Sequence, residues 1–269
     1  MNCVMSTVVR AATAMCLVSS VAQAQMRNVT VTVTNLAAPR SVSFAATHLG
    51  FHQGTFDAFN NGQAATAGII SVAEPGTGAQ WQADFAAADP TSTRGSIAGG
   101  ALLPGSTPRS RSFLVDAGLN RFFTFAAMVV PSNDFFIGND NPMQYRMFDE
   151  MGNLLINSIS QRGRQIWDAG SEAFDPLNAA FVAGGISANR TPQNGVVSFN
   201  FAELAMFDGQ MTNGGYMFQS GLSADQEIYR LDFTSVDVEV VPEPSSVILM
   251  ASGLLLLGVA VRRRSAQQA

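Results

Sequence analysis

The stretch NVTVTVTNL, Asn28 to Leu36, constrains the fold of this chain more than any other segment. Valine and threonine alternate, so the pattern repeats every two residues. On a helix that period scatters the valines around the whole cylinder; on a strand it collects them on one face. The segment is therefore a half-buried strand, with valines on a core and threonines in water. RLDFTSVDVEVV, Arg230 to Val241, alternates in the same way. Between the two lie SRSFLVDA, RFFTFAAMVV, YRMFDEMGNLL and GVVSFNFAEL. Each is short, rich in β-branched or aromatic residues, and bounded by Gly, Pro, Asn or Asp. Short strands separated by turn signals predict an all-β, antiparallel β-sandwich.

Only Gly62 to Pro90 departs from this pattern, being Ala-rich without alternation. Ala64 to Glu74 reads as a short helix stopped by Pro75 and Gly76. Trp81 and Phe85, four apart, share one face of a second short helix and read as core.

The two ends stand outside this body. Residues 1–24 carry Arg10, an apolar run and the small-x-small site Ala22-Gln23-Ala24, the pattern of a secretory signal peptide. Both cysteines, Cys3 and Cys16, lie within it. The exported chain then has no disulfide scaffold, thiol nucleophile or thiolate metal site. Pro242 and Pro244 end the last strand, because proline continues neither a strand nor a helix. Val247 to Val261 is apolar and is closed by Arg262, Arg263 and Arg264. As a helix it is near the short limit for crossing a bilayer, with its basic end cytoplasmic. The expected division is 1–24 signal peptide, 25–241 one β-sandwich domain, and 242–269 tail with a short transmembrane helix.

Removing the ends, with the body taken through Glu243, leaves 11 Arg against 20 acidic residues, a balance near −9. That charge disfavours nucleic acid and anionic lipid as partners and suits a protein that meets cations.

Chemistry-bearing residues are few. No Gly-x-Ser-x-Gly elbow and no phosphate loop is present. His48 and His52, four apart, face one way only on a helix, which Gly50 and Gly54 oppose, so the pair reads as structural rather than as a zinc site. The carboxylates say more. Asp134 sits between an apolar run and Phe135-Phe136, where a bare charge is very costly. In IWDAGSEAFD, Asp168 and Glu172 flank Gly170, which permits a sharp turn. These three can supply part of the six to eight oxygens that calcium takes. An Asx-turn after Pro131-Ser132-Asn133 is the other reading of Asp134.

VTVTNL, ATHLGFHQGTFDAFNNGQAATAGI, FAAMVVPSNDFFIGND and DAGSE resemble, in this order, bacterial spondin-domain proteins. The resemblance runs over about Asn28 to Val241 and is strongest from Thr47 to Glu172. It implies a sandwich related to C2-like architecture with one bound calcium. Its ligand motif, an Asp before an aromatic-x-x-Gly segment and then a DAG-x-D loop, falls on Asp134, Asp168 and Glu172. Glu172 stands where the family has Asp and reaches one methylene further. His48 falls on a recurrent Thr-His, with no function assigned. The tail, VPEPSS, an apolar run and RRR, resembles the PEP-CTERM sorting signal. That resemblance implies export, membrane retention and processing near Pro242-Glu243-Pro244 by an exosortase-type protease, in a setting associated with envelopes and exopolysaccharide.

Animal spondins act in matrix and adhesion. The expected function is thus a non-catalytic, calcium-binding module for adhesion or for extracellular-matrix or biofilm association. Its partner would be matrix, exopolysaccharide or a surface protein, reached at the cell surface or beyond after transient membrane anchoring. The alternative is a calcium-dependent, lectin-like module with Phe135, Phe136, Trp167 or Tyr145 as a platform. A hydrolase would need His48 near a carboxylate and an open cleft.

Overall fold

A computed structural model describes residues 25–238. The expected signal peptide, and the tail from 242 onward with the transmembrane helix expected there, lie outside these residues. Among the described residues no helix is long and apolar enough to cross a membrane.

The Val/Thr segment forms β1, Met26–Asn35, with Val29, Val31 and Val33 fully buried. It is the organising strand of the first sheet. On one side it pairs antiparallel with β5, Arg109–Asp116, and on the other with β12, Glu227–Asp237. β9, Ser158–Arg162, completes the order β5-β1-β12-β9. On the outer face Thr30 and Thr32 bond the Ser112 and Ser110 hydroxyls at 2.8 Å, the cross-strand pairing that a wet sheet face favours.

The second sheet is built on β6, Phe122–Val130, between β3, Thr47–His52, and β7, Phe135–Gly138. β4, Thr93–Ile97, extends it beyond β3. On the other edge come β10, Trp167–Asp168, and β11, Ser198–Phe199. The two-residue strands β2, Ser43–Phe44, and β8, Tyr145–Arg146, also pair with β6. All pairings in both sheets are antiparallel.

One core joins the sheets. Val29, Val31, Phe113, Leu231 and Phe233 of the first meet Phe51, Phe123, Phe125, Ile137 and Ile97 of the second. A second, smaller core lies on the far side of the second sheet. There α1, Ala67–Ala73, and α2, Ala79–Ala88, cover Ala126, Phe136 and Trp167 with Ile69, Val72, Trp81 and Phe85. The second sheet is thus buried on both faces, which is why β6 reads as an apolar run rather than an alternation. Thr66 caps α1, its hydroxyl accepting from the Ile69 amide at 3.1 Å.

Two expected strands are mostly something else. YRMFDEMGNLL keeps only β8 and a single bridge between Phe148 and Leu154. Asp149 turns the chain there by accepting from the Met151 and Asn153 amides, each at 2.8 Å. GVVSFNFAEL keeps β11 and then enters a 3₁₀ helix, Phe201–Phe207. At the junction the Asn200 side-chain amide donates to the distant Asp168 and to the nearby Glu203.

Candidate metal centre

The Asp134 side chain is 2% exposed at the turn that leads into β7. Its Oδ2 accepts from the Ser171 amide at 2.6 Å, the Glu172 amide at 2.9 Å and the Ser171 hydroxyl at 3.1 Å. The Asp134 carbonyl accepts from the Ala169 amide at 3.2 Å. One residue thus holds the following loop by both backbone and side chain. Gly170 makes the turn possible: its φ is +63°, and a Cβ there would stand 2.7–2.8 Å from Val196 backbone atoms.

The structure brings all three predicted ligands to one corner, with different partners. Asp168, opposite Phe135 in the β10–β7 ladder, accepts from the Gly170 amide at 2.7 Å and from Asn200 Nδ2 at 3.1 Å. Glu172 Oε2 lies 3.0 Å from Arg190 Nη1, a charge contact lacking the angles of a hydrogen bond. Arg190 Nη1 also reaches the Glu74 and Asn133 carbonyls at 3.4 Å.

The electrostatics are those of crowded acids. Burial pushes the Asp134 carboxyl up to about 6; the Glu172 amide opposes this, and the Asp168 charge adds to it. Burial also raises Glu172, followed by Glu74, while Arg190 pulls it down. Glu203 is raised by burial against the pull of Asn200. Among the described residues, no three His, Cys, Asp or Glu side chains converge closely enough to hold a metal ion. The donor chemistry still suits a hard cation, since these are carboxylates whose charge is costly where they stand. Oδ1 of Asp134 accepts no hydrogen bond from the described protein.

Sequence reasoning missed Arg190, Glu74, Asn200 and Glu203. Arg190 left a trace, being the only basic residue between Arg164 and Arg230, a span with seven acids. A cation so isolated among carboxylates is placed to neutralise them. The histidines lie elsewhere, both buried in β3. His48 Nδ1 meets Ser96 Oγ at 2.8 Å, and Nε2 lies 3.3 Å from the Gly76 carbonyl. His52 Nε2 meets Thr124 Oγ1 at 3.0 Å. Of the aromatics considered as a platform, Phe135 and Phe136 are core, Trp167 is 5% exposed and Tyr145 is half-buried.

No curated protein matches the chain. A family description does match its tail: residues 240–264 fit the PEP-CTERM protein-sorting motif, so the chain carries a signal of the kind exosortase recognises, which marks it for export and sorting to the surface.

Proposed function

We propose that this chain is an exported, spondin-like β-sandwich module, non-catalytic, whose task is adhesion or association with extracellular matrix or biofilm. The observation that carries the reading is the sorting motif at 240–264 joined to an acidic body. The tail anchors the chain transiently through a short apolar helix and is processed near Pro242-Glu243-Pro244. The burial of both histidines within a strand supports the non-catalytic reading.

Calcium belongs to this proposal, with Asp134, Asp168 and Glu172 as the residues that would hold it in a structural role. What supports it is the uncompensated charge of the corner: two carboxyls raised by burial, with Arg190 the guanidinium beside them. Arg190 would share Glu172 with the ion or give it up. The test is calorimetry and thermal melting of the full chain, with calcium and with chelator, alongside attachment of cells with and without the chain. Expected are saturable calcium binding, a melting temperature raised by several degrees, and weaker attachment without the chain. An unchanged melting temperature with no binding heat removes calcium; unchanged attachment removes adhesion.

A further inference from the structure

A cavity of about 310 Å³ opens at the edge of the second sheet, beside β10 and β11. Its aromatic wall is a stacked pair: the Phe199 and Trp167 rings lie 3.7 Å apart at 24°. The Trp167 indole N–H is spent on the Gly138 carbonyl at 3.2 Å, which fixes the ring. Phe199 covers it on one side and is itself 51% exposed. Around this pair stand five carboxamides, Asn61, Asn141, Gln144, Gln161 and Gln165. Gln161 is 1% exposed, and its Oε1 is buried without a hydrogen-bond partner. Its Nε2 donates to the Tyr145 hydroxyl at 3.3 Å, so the amide is held in place with an acceptor left over.

A buried acceptor without a partner is costly unless a ligand or water supplies a donor. Carboxamides offer a donor and an acceptor on one flat group, which is what a hydroxyl or a vicinal pair of hydroxyls requires. An exposed aromatic face accepts the C–H side of a flat, hydroxylated ring. Charge narrows the class. Asp140 is the only charged residue lining this cavity. A second cavity of about 400 Å³ shares Gln165 and Phe199 with the first, so the groove continues across the Phe199 ring. Arg164, which lines the second cavity, is ion-paired with Asp225. With no unpaired cation along the path, a phosphate or uronate has nothing to bind. Two adjoining cavities offer room for more than one ring.

We infer that this groove binds a neutral oligosaccharide segment, with Phe199 as the stacking platform and Gln144, Gln161 and Gln165 as hydroxyl partners. This deepens the adhesion reading by naming what is bound, and rests on it only for the biological use of the binding.

The test uses the full chain, purified in a detergent without a sugar headgroup. It is titrated with cellohexaose, chitohexaose and laminarihexaose by calorimetry and by tryptophan fluorescence. Trp167 reports on the groove, while Trp81 is buried in the helical layer. Expected are saturable binding of at least one probe with a fluorescence change, and an affinity about tenfold weaker in Phe199→Ala, the scale of one aromatic stack. Phe199 is half exposed, so that variant should melt with the parent; exposed Gln144→Ala serves as a second variant and should weaken binding severalfold. No saturable binding at millimolar probe overturns the inference, as does equal binding by both variants. Binding confined to an anionic hexasaccharide such as oligomannuronate overturns the neutral class. Failure here with cell attachment intact leaves adhesion standing on another partner. Glycan binding without any effect on attachment leaves the groove standing and removes adhesion.

Discussion

At the scale of single residues, the partners of a buried titratable group decide its protonation. His52 is fully buried, and its Nδ1 accepts from the Gly54 amide at 3.0 Å while Nε2 meets Thr124 Oγ1. An accepting Nδ1 carries no proton, so the neutral ring is the one that fits. Burial holds its pKa at about 4, against the pull of the nearby Asp89 carboxylate; the rings of Phe85 and Phe122 face it from α2 and β6. The unfolded histidine titrates near 6.5. Between those values the unfolded chain binds more protons, so this group's contribution is intact above pH ~6.5 and is lost as pH falls towards 4, by roughly 3 kcal/mol. Asp134 acts in the opposite sense, because a carboxyl raised to about 6 makes the folded state the better proton binder from ~4 to 6. The slopes partly cancel in the parent, so the informative quantity is a difference. Denaturant melts of the parent and His52→Gln across pH 4 to 7 should show the parent losing stability relative to the variant on acidification. Parallel profiles would mean that His52 is charged in the folded state.

At the scale of elements, the helical layer sits where it does because β3 leaves room for it. Gly50 is the vacancy: a Cβ there would lie 2.4 Å from the Phe85 ring of α2. That ring is fully buried and stacked on Phe56 at 4.1 Å, so it has little space to retreat. Gly50→Ala should therefore cost about 1–3 kcal/mol, the usual penalty for overpacking. It should appear as a lower denaturant midpoint and greater amide exchange in α1 and α2, with β1 and β12 unaffected. A midpoint equal to the parent's would show that the layer rides loosely on the sheet. The same layer explains what was legible in the sequence. β1 announced itself because one of its faces is wet, and β12 for the same reason along its first turns. β6 was readable as an apolar run bounded by turn residues, although alternation was erased by burial on both faces. β3 was not readable, because THLGFH is buried at every position and two of those positions are histidines whose partners lie across the sheet. β7 has only four residues, and β10 and β11 two each, too few for a period to emerge. At the acidic corner, Asp134, Asp168 and Glu172 could be picked out because carboxylates amid aromatics are conspicuous. Arg190, Glu74 and the capping amides could not be placed there, since only the folded backbone brings such distant positions together. The saccharide groove was hidden likewise: Phe199 stood inside an expected strand, with nothing to say that its ring would be left half exposed.

At the scale of the whole molecule, the C-terminal motif carries the address, and the body from residue 25 to 241 contains no cysteine. The body's charge near −9 disfavours anionic lipid, so the proposed retention at the envelope is assigned to the tail. The matched motif spans 240–264 and so ends at the third arginine of RRR. Under the proposed reading, a short apolar run closed by three arginines would orient with its basic end inside and serve as a temporary anchor. Two products then follow. Chain recovered from the surface or medium should have a mass lacking residues 1–24 and everything beyond about Pro242–Pro244. Chain recovered from membranes of cells lacking the sorting protease should retain residues 245–269. Ending the chain at 241 should send the body directly into the medium or periplasm with its melting temperature unchanged, because the last described strand ends at Asp237, before the cut. Intact-mass spectrometry of the fractions, with melting of the released body, checks all three. A truncated chain held at the envelope as firmly as the parent would move the retaining contact into the sandwich itself, and the saccharide groove beside Phe199 would be the first place to look for it.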